Sequence, residues 1–219
     1  MSARDRNWIG LIGVVLTSAV GCDFGPSGPS RSASEYNLKL IRLGMWNYRS
    51  SYGVFPPVSG SGNRNVREFG YSFRVSLLPF VQNDRLYGSV FRGTRSPIDR
   101  PQKDVWDNPE LLNATIKWYN TDPTDPRKTH YRAIVGGGAF DENGLPVPDA
   151  NKDCIMIVEA SESVVWTKPD ELVYKADQPL PKFGFLNGGF HAIFVDESLR
   201  WIPSSTPEPE IRRMITGGK

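Results

Sequence analysis

The sequence predicts an α+β fold, an N-terminal amphipathic helix packed on a small antiparallel sheet. Three observations predict it. Leu38, Ile41, Met45, Tyr48 and Tyr52 recur at steps of 3, 4, 3 and 4 residues, one continuous apolar stripe of a helix. The second half instead carries short apolar runs separated by turn residues, the pattern of strands. With 18 prolines and 21 glycines, the chain is punctuated too often for a helical bundle. One helix followed by a run of strands is the order of an α+β domain.

The first helix has legible ends. Ser32-Ala33-Ser34-Glu35 reads as a capping box, in which the Glu35 amide donates to the Ser32 hydroxyl and the Glu35 carboxylate reaches back. Leu40, Leu43 and Trp46 widen the stripe, so deep packing against the sheet is expected. Gly53 ends the helix, and Pro56-Pro57 prevents its resumption.

Residues 58–70 form a Gly/Ser/Asn loop. Ser72 to Pro79 predicts a short second helix that breaks at the proline, and Asn83-Asp84 can cap another turn through Leu86-Tyr87. Residues 93–107 are polar and turn-rich. Asn108, Pro109 and Glu110 read as N-cap, N1 and N2 of a further helix. The stretch Ala114–Tyr119 suits helix or extended chain equally. Thr121–Arg127, with Pro123 and Pro126, is a double turn.

Thr129–Val135 alternates weakly and predicts a strand. Cys154–Glu159 predicts a buried strand, with Val164–Thr167 pairing back across Ala160–Ser163. Gly189–Val195 and Leu199–Ile202 flank Asp196-Glu197-Ser198 and predict a hairpin. Pro209–Ile215 closes the chain as a helical turn stopped by Gly217. No internal repeat is visible.

The N-terminus addresses the protein out of the cytoplasm. Arg4 and Arg6 precede a 13-residue apolar run, Trp8–Val20, and Gly21-Cys22 follows. Basic, apolar and small-residue regions in that order describe a secretory signal peptide. The run is short of the roughly 20 residues that span a bilayer. Cys22 directly after a small residue resembles a bacterial lipobox, although Ala19 stands where that motif usually has Leu. Residues 1–21 thus read as a signal peptide, 22–31 as a Gly/Pro/Ser tether and 32–219 as one domain. The leading expectation is an exported protein held to a bacterial membrane by lipid on Cys22. Ordinary cleavage after Gly21 and an uncleaved N-terminal anchor remain the alternatives. Acylation would hold well: each buried methylene contributes about 0.8 kcal/mol, and two or three chains anchor stably.

Composition narrows the function classes. The formal charge of +2 gives no electrostatic footprint for nucleic acid. Two cysteines, Cys22 and Cys154, exclude a disulfide framework and a multi-cysteine metal site. Cys154 lies in an apolar run and reads as a small buried hydrophobe. His130 and His191 are the only histidines, and no Gly-x-Ser-x-Gly elbow accompanies them. His191 alternates within a strand and is expected to be solvent-facing or half-buried. Gly136–Gly138 lacks the Lys-Ser/Thr of a phosphate loop and reads as a flexible turn. Asp141–Gly144, Asp122 and Asp125 read as turns rather than calcium ligands. No catalytic residue, metal or cofactor is assigned. Trp46, Trp166 and Trp201 lie in regular elements and are expected in the core, whereas Trp106 and Trp118 sit by polar turns as candidate surface ligand contacts.

An ordered series of segments carries a family resemblance. It runs through Tyr52-Gly53 with Phe55-Pro56-Pro57, Ser72-Phe73-Arg74-Val75, Leu77-Leu78-Pro79-Phe80 and Thr129 with Tyr131. It continues with Val165–Leu172, Pro179–Lys182, Gly188-Gly189-Phe190 and Phe194-Val195-Asp196. The series resembles the large planctomycete domain family of unknown function DUF1559, related to type II secretion pseudopilins and type IV pilins, over about residues 33–219. The resemblance implies a pilin-like architecture and supplies no catalytic residues. Typical members begin with a prepilin leader and a long apolar helix, the part that packs pilins into filaments. Here a lipobox-like end and a tether stand in its place, so a filament subunit is not expected. Glu197 stands where the family usually has Gly. These observations lead to the expectation of a lipid-anchored, non-enzymatic envelope protein with a structural or assembly role and envelope or secretion-system proteins as partners. The alternative is an extracytoplasmic module that binds a glycan or peptide.

Overall fold

The computed structural model describes residues 29–58, 71–81, 83–90, 106 and 108–218. Cys22, the expected signal peptide at 1–21 and most of the expected loops at 58–70 and 93–107 lie outside the described residues. Helix α1 spans Arg31–Tyr52. Its cap is Ser30, whose hydroxyl accepts the Ala33 N–H at 3.3 Å. The expected capping box at Ser32 does not form, because Ser32 is already helical. Glu35 pairs instead with Lys39 at 2.7 Å. Gly53 closes the helix at φ 79°, donating its N–H to the Arg49 carbonyl.

The stripe packs as expected over Leu38, Ile41, Met45 and Tyr48, all at most 1% exposed. Tyr52 is 41% exposed and Leu43 54%, so neither belongs to the packed face. At 3.6 residues per turn, Tyr36, Leu40 and Leu43 fall on the side opposite Leu38 and Met45. Helix α1 thus has two apolar stripes, one buried and one outward.

Short helices follow. They are α2 at Phe73–Ser76, a 3-10 turn at Leu78–Phe80, α3 at Asp84–Val90 and α4 at Pro109–Leu112. Asn108 caps α4 by accepting the Glu110 and Leu111 N–H groups, as its sequence predicts. Ala114–Tyr119 is neither helix nor strand, and its last three residues form a turn.

Among the described residues the sheet has five strands. They are β1 Lys128–Val135, β2 Ile155–Val165, β3 Leu172–Val173, β4 Gly189–Phe194 and β5 Leu199–Pro203. Their order is β3-β1-β2-β4-β5. All neighbours are antiparallel except β3, which runs parallel to β1. The hairpin expected across Ala160–Ser163 is absent. A bulge between Thr129 and Tyr131 keeps β1 on β2 past that polar stretch, so Val164 pairs with Thr129 instead. The hairpin between β4 and β5 forms as expected, and Glu197 in its turn takes φ 71°.

The chain ends in α5, Glu208–Thr216. The sheet lies between α1 and α5. Along β1, Tyr131, Ala133 and Val135 join the cluster on the α1 side, while Ile134 joins Ile215 of α5. This alternation follows the period of two along a strand and buries both faces, which explains why β1 alternates only weakly in sequence. The Gly136–Gly138 run is not a free turn. A Cβ on Gly138 would meet Cys154 Sγ at 2.5 Å and the Thr216 carbonyl oxygen at 2.7 Å, so glycine there permits the close approach of α5.

Candidate functional site

Two buried polar clusters and one open groove hold most of the chemistry in view. The first cluster forms around Arg74. Ser72 caps α2 by accepting the Arg74 N–H, and its hydroxyl donates to the Trp166 carbonyl at 2.9 Å. The Arg74 side chain donates to the carbonyls of Trp166 at 2.8 Å, Tyr131 at 2.7 Å and Lys168 at 2.9 Å. Its Nη2 lies 3.1 Å from Glu171 Oε1, and neither side chain is more than 1% exposed. The approach to Oε1 is an ion-pair distance without hydrogen-bond alignment. The Ala133 N–H donates to the other carboxylate oxygen at 2.6 Å. Burial pushes the Glu171 carboxyl up to about 7, against the opposing pull of Arg74. Segments far apart in sequence, Ser72–Val75, Tyr131 and Trp166–Glu171, therefore meet in one lattice. The guanidinium is spent on protein acceptors, so this cluster holds the fold together rather than binding a ligand.

The second cluster joins α1 to the sheet. Glu159 Oε2 accepts the His191 N–H at 2.7 Å, and Oε1 takes the ring Nδ1 at 2.9 Å. Ser34 Oγ also donates to Oε1. Ser34 Oγ lies 2.8 Å from the Tyr131 hydroxyl, to which Asn37 donates at 3.3 Å. His191 is thus 3% exposed rather than solvent-facing, because the Glu159 carboxylate satisfies its amide and its ring together. The order of contacts is Ser–Glu–His. A nucleophilic triad needs the histidine between the hydroxyl and the acid, and here Ser34 passes its hydrogen bond to Glu159.

His130 is held differently. Its amide donates to Thr121 Oγ1 at 2.7 Å, and its Nδ1 lies 2.8 Å from the same oxygen. The ring stacks on Phe185 at 4.1 Å, and burial lowers its pKa. Asp122 and Asp125 form local turns, accepting the N–H groups of Thr124 and Arg127. Partial burial opposes ionisation of Asp122, yet hydrogen bonds from Ser163 and Thr124 hold its carboxyl down at about 2. Among the described residues no group of three or more His, Cys, Asp or Glu side chains could hold a metal ion.

An open groove of about 600 Å³ runs along the outer stripe of α1. Tyr36, Leu40 and Leu43 form one wall, with Phe80, Lys117 and Trp118 among the other lining residues. Ser30 and Ser32, at the start of α1, also line it. Trp118 Nε1 is buried and has no partner among the described residues.

The two expected surface tryptophans part company. Trp118 lines the groove. Trp106 is not among its lining residues; its carbonyl accepts the Thr167 hydroxyl at 2.6 Å, and the Lys168 ammonium stands 5.9 Å from its ring. Of the three tryptophans expected in the core, Trp166 is 1% exposed. Trp46 is partly buried and meets Phe55 edge-on at 5.0 Å. Trp201 is only half-buried, with the Arg31 guanidinium 3.7 Å above its ring. Cys22 lies outside the described residues.

Arg74, Glu159 and Glu171 escape a reading of the sequence for chemistry. For Arg74 and Glu159 the signal is a charge inside an apolar element, Phe73-Arg74-Val75 and Val158-Glu159-Ala160; Glu171, between Asp170 and Leu172, carries no such signal.

Comparison with known proteins matches the chain to the family described as "Protein of unknown function (DUF1559)" over residues 31–188. No curated protein and no solved structure matches the chain. The matched span opens at the first residue of α1 and contains both members of the Arg74–Glu171 pair. By this match, which covers well over half of its length, the chain belongs to the DUF1559 family of proteins of unknown function.

Proposed function

We propose that this protein is a membrane-anchored, non-enzymatic envelope component, lipidated on Cys22, whose pseudopilin-like domain serves a structural or assembly role. The observation that carries the reading is the construction of α1. One stripe packs on the sheet, and the other faces outward along a groove that begins at Ser30. Ser30 caps the helix only eight residues after Cys22, at the end of the Gly/Pro/Ser tether. A helix preceding and packing on an antiparallel sheet suits a pilin relative. In sequence, a Gly/Pro/Ser stretch separates the apolar run Trp8–Val20 from α1, which supports an anchored domain over a filament subunit. The buried polar clusters are turned inward on protein partners, which favours a structural role over chemistry.

Metabolic labelling with a radioactive fatty acid tests the anchor. The native chain is expected to incorporate label and Cys22→Ala to lose it; absence of label, or equal label in both, rejects the reading. Capture from detergent-solubilised membranes tests the role, with secretion or pilus components expected to co-purify. The second reading, a glycan- or peptide-binding module, is favoured by the Trp118 and Tyr36 rings that line the groove, since aromatic faces can stack on sugars. Recovered glycan, with fluorescence of Trp118 responding to it, would support that reading instead.

A further inference from the structure

We propose that the outer face of α1 is a lipid-contact surface, with Tyr36, Leu40, Leu43 and Trp118 resting at the headgroup–acyl boundary of the membrane that holds Cys22. The inference rests on the anchoring of Cys22 proposed above.

Three observations carry it. The first is chemical composition. Tyr36 is 62% exposed and Leu43 54%, on a stripe that makes no use of the sheet. Trp118 lines the same groove, with exposed Lys117 beside it. Tyrosine and tryptophan concentrate at the membrane–water boundary, where an apolar ring and a polar tip are both served. A lysine there can lay its stem on lipid and keep its ammonium in water.

The second is the polar rim. Ser30, Ser32 and Lys117 line the same groove and are exposed. Their hydroxyl and ammonium groups can meet headgroup oxygens while the apolar side chains face the acyl region.

The third is reach. Cys22 and Ser30 are eight residues apart. At about 3.3–3.6 Å per extended residue, the start of the groove stays within about 30 Å of the lipidated thiol. A tether this short raises the effective concentration of membrane to the order of mM. A patch too weak to recruit a free protein is then sufficient to orient an anchored one. Without residues 1–21, which hold Arg4, Asp5 and Arg6, the formal charge falls from +2 to +1, so the contact is expected to be apolar and little affected by salt.

The test uses the full chain anchored in vesicles of phosphatidylethanolamine and phosphatidylglycerol with brominated acyl chains, which quench tryptophan at the boundary. Native protein is compared with Trp118→Phe and Leu43→Glu, the latter an exposed helical position that leaves the core untouched. At least a twofold loss of bromine-dependent quenching is expected in each variant, at low and high salt alike. Equal quenching in all three proteins overturns the proposal. Shielding of Trp118 from both bromolipid and aqueous acrylamide also overturns it, and shows the groove covered by protein instead. The mass of the membrane-extracted chain reports acylation separately. If Cys22 carries no lipid, coupling its thiol to a maleimide phospholipid restores the same anchor, and the quenching is read again. Failure of the anchor and failure of the docking are therefore distinct results.

Discussion

His191 gives two hydrogen bonds to Glu159, from its amide at 2.7 Å and from its ring Nδ1 at 2.9 Å. Neither side chain is more than 3% exposed. Ser34 completes the arrangement from α1. One carboxylate on β2 therefore fastens β4 and the first turns of the helix to the middle of the sheet.

Removing that acceptor has a defined consequence. Glu159→Ala leaves the His191 amide, its ring nitrogen and the Ser34 hydroxyl without their shared partner. Each unsatisfied buried group costs about 1–3 kcal/mol, so a loss of at least about 3 kcal/mol is expected. Ser34→Ala removes a single donor and is expected to cost about 1 kcal/mol. Urea unfolding compares the two, and amide exchange reads the first turns of α1, which should lose protection in Glu159→Ala. Equal unfolding midpoints for the two variants would refute the clamp.

The Arg74–Glu171 pair makes stability depend on pH. Burial raises the Glu171 carboxyl to about 7, above the ordinary 4.5 of the unfolded chain. Between these values the folded state holds a proton that the unfolded state releases, so this group's contribution declines as pH rises from about 4.5 through 7. His130, lowered by burial, acts in the opposite sense below 6.5. Comparison with Glu171→Gln isolates the carboxyl. The native protein should lose stability relative to that variant across the window, measured as urea midpoints at several pH values. Parallel pH profiles would show that Glu171 is ionised throughout. Arg74→Met removes the donor to the carbonyls of Trp166, Tyr131 and Lys168 and is expected to cost at least about 3 kcal/mol.

The turn between β4 and β5 stores strain at one residue. Glu197 sits at φ 71°, where a side chain crowds the backbone. Its carbonyl accepts from Arg42 at 3.1 Å, a bond that any residue at this position keeps. Glu197→Gly is expected to stabilise the protein by about 1 kcal/mol. Thermal unfolding measures it, and an unchanged or lower midpoint counts against the strain.

Local signals were legible where a residue acts on its own neighbours. The stripe from Leu38 to Tyr48, the Gly53 stop, the Asn108 cap and the hairpin around Glu197 all follow from spacing and backbone preference within a few residues. Misreadings arose where distant segments decide. The capping box at Ser32 lost to Ser30, a competition between two adjacent caps of similar quality. The Val164–Thr167 hairpin lost to a bulge in β1, which no pattern within β2 announces. Gly136–Gly138 looked flexible because the packing of Cys154 and Thr216 against it is invisible in sequence. Trp106 and Trp118 look alike in sequence, yet only Trp118 lines the groove.

By itself the sequence determined the fold class, the reach and capping of most elements, and the family resemblance that the match over residues 31–188 supports. These depend on periodicity and dihedral preference, which are local. The tertiary structure alone decided that Arg74, Glu159 and Glu171 are buried anchors, that His191 is shut inside, and that α1 turns a second apolar stripe outward. Burial and charge pairing are properties of segments brought together across the chain. A charged residue in an apolar run becomes informative only when its partner is in place.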